Sequence, residues 1–293
     1  MRAQIAESLN RRVLSLSPLH GGCVARVFRV GLGSGPGDGP RDGPRDEQDL
    51  VVKLDSGTDP KLDREAFMLG VLRDAGVRVP EVVHAEPGVL AMEHIENDGR
   101  HSHAGEAELG RIVAALHGHS SDRYGLDRDT LIGPLDQPNA WSNDWASFYA
   151  DRRLAPMADR AEERRALPPG CRGRLAEIGS AMHELIPHPN PPALIHGDLW
   201  SGNVLWASGT PAALIDPAVY YADAEIELAF IDLMGGMGPP FWKSYNERRA
   251  IDDGFWRSRC GLYQLYPLLV HAALFGGGYG GSVDRIARRL LAG

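Results

Sequence analysis

The chain has 293 residues, a formal net charge of −8, 43% hydrophobic residues and 24% charged residues, which suits a globular chain long enough for one large domain or two lobes. The acidic balance and the lack of any Lys/Arg tract argue against nucleic acid or an anionic membrane as partner, and no apolar run approaches the roughly 18 residues of a spanning helix. Cys23, Cys171 and Cys260 are odd in number and widely spaced, and the N-terminus has no secretory apolar core, so a reducing cytoplasm is expected, with neither a disulfide framework nor a zinc site.

Ile5, Leu9 and Val13 recur every four residues and predict a short amphipathic helix over 2–14. His20-Gly21-Gly22-Cys23 then reads as a glycine turn before a strand at Val27 to Val30. Residues 31–49 are rich in Gly, Pro and Asp, with Gly-Pro-Arg-Asp written twice, and predict a flexible insertion that builds no core. Gly31-Leu32-Gly33-Ser34-Gly35 is no dinucleotide fingerprint, because Pro36 and Gly37 stand where a helix would have to begin. Leu50-Val51-Val52-Lys53-Leu54 is a strand by composition. Asp59-Pro60 then reads as a helix start. In that helix Leu62, Glu65, Leu69 and Leu72 share a face. An ionisable Glu65 there needs a partner, and Lys53 is the obvious cation.

Glu86-Pro87-Gly88 predicts a hairpin turn between 79–85 and 89–92. Beyond it the chain reads mainly as helix, with an amphipathic face at Leu109, Ile112, Val113 and Leu116 and further helices over 141–154, 158–186, 225–234 and 255–275. Ala193 to Ile195 and Ala212 to Ile215 are short strands. A strand-rich first third and a helix-rich remainder predict an α+β, two-lobed fold divided near residues 95/96. The aromatics Trp141, Trp145, Phe148 and Tyr149 are expected in the core. The pairs His101/His103 and His117/His119 lack accompanying ligands and read as helix-end residues, not metal ligands.

The chemistry concentrates in His196-Gly197-Asp198-Leu199-Trp200-Ser201-Gly202-Asn203, followed beyond one short strand by Asp216-Pro217. Asp-x-x-x-x-Asn is the spacing of a kinase catalytic loop. Phosphoryl transfer needs a carboxylate to orient the acceptor hydroxyl and take its proton, plus oxygen ligands for magnesium. Asp198 is the candidate base, Asn203 and Asp216 the magnesium ligands, and His196 a brace for the loop. Lys53 with Glu65 matches the phosphate-binding ion pair of kinases, and Gly21 and Gly22 fall where a phosphate-covering loop would lie. Of 31 Lys plus Arg residues only Lys53, Lys61 and Lys243 are Lys, in keeping with a point charge retained at 53. Trp200, beside Asp198, offers a flat face for a substrate. Cys23, a thiol in a glycine turn near Lys53, is a candidate redox site.

These residues resemble the fructosamine kinase (ketosamine 3-kinase) family, within the aminoglycoside-phosphotransferase-like kinases. Leu199-Trp200-Ser201-Gly202 inside the loop carries the resemblance. So do Ile215-Asp216-Pro217-Ala218-Val219-Tyr220-Tyr221, Gln137-Pro138-Asn139, Asp144-Trp145 with Phe148, Arg153-Leu154 and Leu274-Phe275-Gly276-Gly277-Gly278-Tyr279. The resemblance covers nearly the whole chain. It implies a protein-kinase-like fold and ATP- and Mg2+-dependent phosphorylation of the third-carbon hydroxyl of a ribulosamine or fructosamine, a step that destabilises the adduct and frees the amine. It also implies a hinge for adenine at Met92, Glu93, His94 and Ile95, a Cys in the phosphate loop at Cys23, and substrate contacts at Trp200, Gln137 and Asn139. The partners expected are ATP and a glycated amine, with the chain a monomer or weak homodimer. In Tyr266 to Ala273, Pro, Val and Ala stand where many members would have polar residues, in a segment expected at the acceptor pocket. The rival functions are an aminoglycoside- or choline-type kinase and, from another class, an ATP-binding pseudokinase scaffold or sensor. A protein kinase is disfavoured, because no Ala-Pro-Glu follows Asp216.

Overall fold

The computed structural model describes residues 1–19, 25–33 and 48–292. The first part is a five-stranded, wholly antiparallel sheet in the order β1-β2-β3-β5-β4. Its strands are β1 (Val13–Leu19), β2 (Arg26–Leu32), β3 (Gln48–Leu54), β4 (Val82–Glu86) and β5 (Val89–Glu93). Helix α1 (Arg2–Leu9) precedes it and α2 (Leu62–Asp74) crosses between β3 and β4.

Side chains alternate across a strand, so the two faces of this sheet meet different partners. Leu50, Val52, Leu54, Val89 and Ala91 join Ile5 of α1 in one core. Leu90 and Met92 point the other way, into the larger core that includes Leu69 and Leu72 of α2. Lys53, between Val52 and Leu54, shares that second face and is thereby aimed at α2.

Three expectations are corrected here. Helix α1 stops at Leu9, with Asn10 in the left-handed region at φ 48°, and Val13 begins β1. Helix α2 begins at Leu62 with Lys61 as N-cap and no side-chain cap, so Asp59-Pro60 does not start it. The insertion is shorter than 31–49, because Gly31 and Leu32 pair with Asp49 and Gln48 in the ladder. Gly21, Gly22 and Cys23 lie outside the described residues.

The remainder is helical. Helix α3 (His103–Leu116) is capped by Ser102 Oγ, which accepts from Gly105 N–H. Two short strands, β6 (Thr130–Ile132) and β7 (Leu135–Gln137), follow, and then α4 (Trp145–Tyr149), which runs through a π turn at Ala150–Leu154 into α5 (Ala155–Glu163). The single helix expected over 158–186 is broken into α5, α6 (Cys171–Ser180) and α7 (Met182–Leu185); Pro168-Pro169-Gly170 separates the first two, and the second break falls at Ala181. Strand β8 (Ala193–Ile195) pairs with β11 (Tyr220–Ala222), and β9 (Val204–Ala207) with β10 (Thr210–Leu214), all antiparallel. The helices α8 (Glu225–Met234), α9 (Pro239–Asn246), α10 (Cys260–Phe275) and α11 (Tyr279–Leu291) complete the lobe. Trp145, Phe148 and Tyr149 are fully buried, as expected, whereas Trp141 is only partly covered. No helix of the described residues is long and apolar enough to cross a membrane.

Pro267 sits inside α10 and removes an N–H that would have bonded the Tyr263 carbonyl. The Tyr149 hydroxyl donates to the neighbouring Leu262 O at 2.8 Å, with Tyr263 O 3.5 Å away.

Candidate active site

The catalytic-loop sequence leaves β8 at Ile195 and reaches β9 at Val204 through a single 3-10 turn, Ser201–Asn203. Hydrogen bonds fix its shape from both ends. His196 Nε2–H donates to Ile215 O at 3.0 Å, and its Nδ1 accepts from Asp198 N–H at 3.3 Å. Burial holds the His196 ring below the usual imidazole range, in keeping with a neutral ring that accepts at Nδ1. This histidine braces the loop. Gly197 has φ 85°, and a Cβ built there would overlap the Ala218 carbonyl oxygen. Only glycine suits a backbone that is both left-handed and this closely approached.

Asp198 is partly buried behind this turn. Burial, and next the like charge of Asp216, push its carboxyl up to about 8, against the Asn203 hydrogen bond. Asn203 Nδ2 donates to Asp198 O at 2.7 Å and Asp198 Oδ2 at 3.2 Å, which leaves its amide oxygen available to a ligand. Asp216 follows β10 at φ 54°, an uncommon conformation for a residue with a side chain. There its carboxylate bonds Lys53 Nζ. On the other side Lys53 Nζ meets Glu65 Oε1 at 2.7 Å, so the pairing expected between β3 and α2 forms and extends to Asp216. Burial works against the Lys53 charge, but the two carboxylates outweigh it and hold the amine firmly cationic. Burial lifts the Glu65 carboxyl, and the nearby Asp216 charge adds to the lift.

Lys53→Met leaves two carboxylates facing one another without a cation. The expected result is loss of nucleotide affinity, with a stability loss of about 1–3 kcal/mol that grows as pH rises above the ordinary carboxylate range. Nucleotide titration and melting curves at several pH values check both.

A second set of residues holds the loop from below, and sequence reasoning missed it. Glu227 of α8 is completely buried. Its Oε1 accepts from Gly197 N–H at 2.6 Å and its Oε2 faces His117 Nε2 at 2.8 Å. His117 Nδ1 in turn meets the Tyr245 hydroxyl at 2.8 Å. Burial raises the cost of the Glu227 charge, but His117 and Gly197 overcome it and hold the carboxyl below its usual range. The available signal was the pattern of α8: two acids, Glu225 and Glu227, in the stretch 225–231, otherwise apolar all round, with the remaining acid, Asp232, exposed beyond it. A helix of that kind is buried, so its charges need partners.

A narrow cleft of about 20 Å³, open at its mouth, lies beside Asp198. Ile132, Phe230, Tyr266, Pro267, Val270 and His271 line it with Gly197, Asp198 and Glu227. The Tyr266 to Ala273 segment thus contributes Tyr266, Pro267, Val270 and His271 to the cleft beside Asp198. Trp200 stays partly exposed with its ring over Gly202, where any Cβ would overlap it.

Gln137 and Asn139 are corrected. Both are buried, and their amides are engaged within the protein. Gln137 donates to Thr130 Oγ1 at 2.9 Å and Ala218 O at 3.0 Å and accepts from Tyr266. Asn139 donates to Thr130 Oγ1 at 2.7 Å and accepts from Arg153 Nη2 at 2.5 Å. Arg153 is a buried guanidinium, also missed, held by Pro138 O and the Tyr220 ring 4.0 Å away. Asn139→Ala is therefore expected to cost about 1–3 kcal/mol of stability by orphaning Arg153 Nη2. A substrate contact would instead raise the acceptor KM with melting unchanged, and the two readouts separate the roles.

At the proposed hinge, Met92 is buried, and Glu93 turns its carboxylate to Arg78 at 2.5 Å while its N–H donates to Glu81 O. The Glu93 side chain and N–H are thus committed within the protein. The Ile95 carbonyl accepts from Asn97 at 3.0 Å.

The fructosamine kinase family model matches residues 2–293. A mouse protein named ketosamine-3-kinase is 34% identical over 260 residues, covering 77% of this chain and 81% of its own. A Lactiplantibacillus plantarum protein named "Probable ketoamine kinase" is 36% identical over 224 residues, covering 72% and 78%. A crystal structure from Thermobifida fusca, assigned as a fructosamine-3-kinase, superposes with a TM-score of 0.84 at 33% identity over 100% of this chain and 99% of that one. An aminoglycoside phosphotransferase at 18% identity and TM-score 0.62 shares the fold. With the family model spanning the chain and relatives at 34% and 36% identity over most of it, this protein belongs to the fructosamine kinase family.

Proposed function

We propose that this kinase transfers the γ-phosphoryl group of ATP to the third-carbon hydroxyl of a ketosamine, a ribulosamine or fructosamine adduct, and so opens a deglycation route. The observation that carries the reading is the convergence of Asp198, Asn203, Asp216 and the Lys53–Glu65 pair, with a cleft opening beside Asp198. The relatives named for ketoamines and ketosamines support the acceptor class.

Asp198 orients the acceptor hydroxyl and takes its proton as that oxygen attacks the γ-phosphorus and ADP departs. Lys53, kept cationic by its two carboxylates, meets the phosphates. Trp200 lies beside the acceptor. Asn203 and Asp216 supply hard oxygen donors of the kind magnesium takes. When bound, it would neutralise charge on the phosphates.

The test is incubation with ATP and magnesium against ribulosamines, fructosamines, aminoglycosides and choline, followed by mass. A gain of one phosphoryl group on the ketosamines alone is expected. Phosphorylation of an aminoglycoside or choline in preference, or of none, overturns the reading.

A further inference from the structure

The cleft beside Asp198 has few polar groups left to offer. Both Glu227 oxygens are engaged, by Gly197 and His117. The Tyr266 hydroxyl donates to Gln137, and His271 Nδ1–H donates to Pro267 O at 2.8 Å. With Asp198 Oδ2 taken by Asn203, Asp198 Oδ1 and the second His271 nitrogen remain as its main uncommitted groups among the described residues. Most of the rest of the wall is hydrocarbon, supplied by Ile132, Ile195, Ile226, Phe230, Pro267 and Val270, with Tyr220, a neighbour of Arg153, and the Gly197 backbone completing it. Pro267 and Val270 are three residues apart on α10 and share one face of it.

A sugar hydroxyl turned against this wall would lose water and find no partner, which is costly. Hydrocarbon turned against it gains. A ketosamine offers both, a polyhydroxylated carbon chain and, across its nitrogen, the substituent of the parent amine. We propose that the apolar wall receives the amine's substituent, leaving the sugar hydroxyls toward Asp198, Trp200 and solvent. The enzyme then selects ketosamines of small aliphatic amines, with Val270 the specificity-determining residue. This rests on the ketosamine reading above and names the class of amine within it.

The test uses two adducts of one sugar, on propylamine and on ethanolamine, which differ only by a methyl against a hydroxyl at the far end. An apolar pocket discriminates such a pair by up to about 100-fold. The wild-type enzyme is expected to favour the propylamine adduct in kcat/KM by at least about tenfold. Val270→Thr keeps the shape and adds a hydroxyl, and Val270→Asn adds a full amide. Both are expected to shrink that ratio, with the KM for ATP unchanged and the melting temperature of the Thr variant close to wild type. Equal kcat/KM for the two adducts in the wild type, or a ratio unmoved by Val270→Thr, overturns the inference while leaving the ketosamine reading in place. Failure to phosphorylate either adduct overturns the ketosamine reading itself.

Discussion

Asp198→Asn is expected to lower kcat by about 10²–10⁴-fold, the share a positioned general base contributes, while leaving nucleotide affinity nearly unchanged. Lys53, Glu65 and Asp216 hold one another without Asp198, and an Asn side chain still presents an oxygen to Asn203 Nδ2. The same variant is expected to melt above wild type in the absence of ligand and magnesium. Burial and the Asp216 charge raise the native Asp198 carboxyl to about 8, against about 3.9 in an unfolded chain. The native state therefore binds this proton more tightly than the unfolded state does. Asp198 costs no stability below about pH 4, costs progressively more as pH rises toward 8, and costs a constant amount above that. Asn cannot ionise, so the gap in melting temperature should open between those limits. Activity retained in this variant removes Asp198 from the mechanism. Melting below wild type across the range removes the electrostatic account of its surroundings. Loss of activity joined to gain of stability is what a site strained for function predicts.

The parts of this site that were legible in the sequence share a local signature. Lys53 could be paired with Glu65 because a lone acid among Leu62, Leu69 and Leu72 advertises an unpaid burial cost, and the alternation of β3 sets which way Lys53 points. Asp198, Asn203 and Asp216 are close in sequence and joined by one hairpin, so their spacing nearly fixes their meeting. Glu227 and His117 are 110 residues apart, and nothing in either neighbourhood names the other. Gln137 and Asn139 went wrong for a related reason. A short polar motif says that its side chains matter but not whether they face a ligand or the protein's own interior, and here Thr130, Arg153 and Ala218 claim them. The long helix expected over 158–186 failed on a signal that was present, Pro168-Pro169-Gly170, outweighed by the flanking helical pattern.

Gly197→Ala tests whether the buried brace under the loop governs catalysis. The methyl would be placed at φ 85° and into the Ala218 carbonyl. The left-handed backbone alone costs about 1–2 kcal/mol for a residue with a Cβ, and the overlap adds about 1–3 kcal/mol of the kind seen in overpacked cores. The obstacle is main chain rather than a side chain that can swing away, and Ala218 N–H is itself tied to His196 O at 2.7 Å. The loop must therefore shift, straining the Gly197 N–H bond to Glu227 and carrying Asp198 with it. Misplacement by about 1 Å is enough to cost about 100-fold in rate. The expected variant is folded, melts lower, binds nucleotide through an intact Lys53 and turns over poorly. Gly173→Ala is the matched control, because Gly173 lies in α6 with open space around its Cβ position. There the substitution should be neutral or stabilise the protein by about 0.5–1 kcal/mol. If Gly197→Ala behaves like Gly173→Ala, the position of Asp198 does not depend on the Glu227–Gly197 contact, and the brace is only packing.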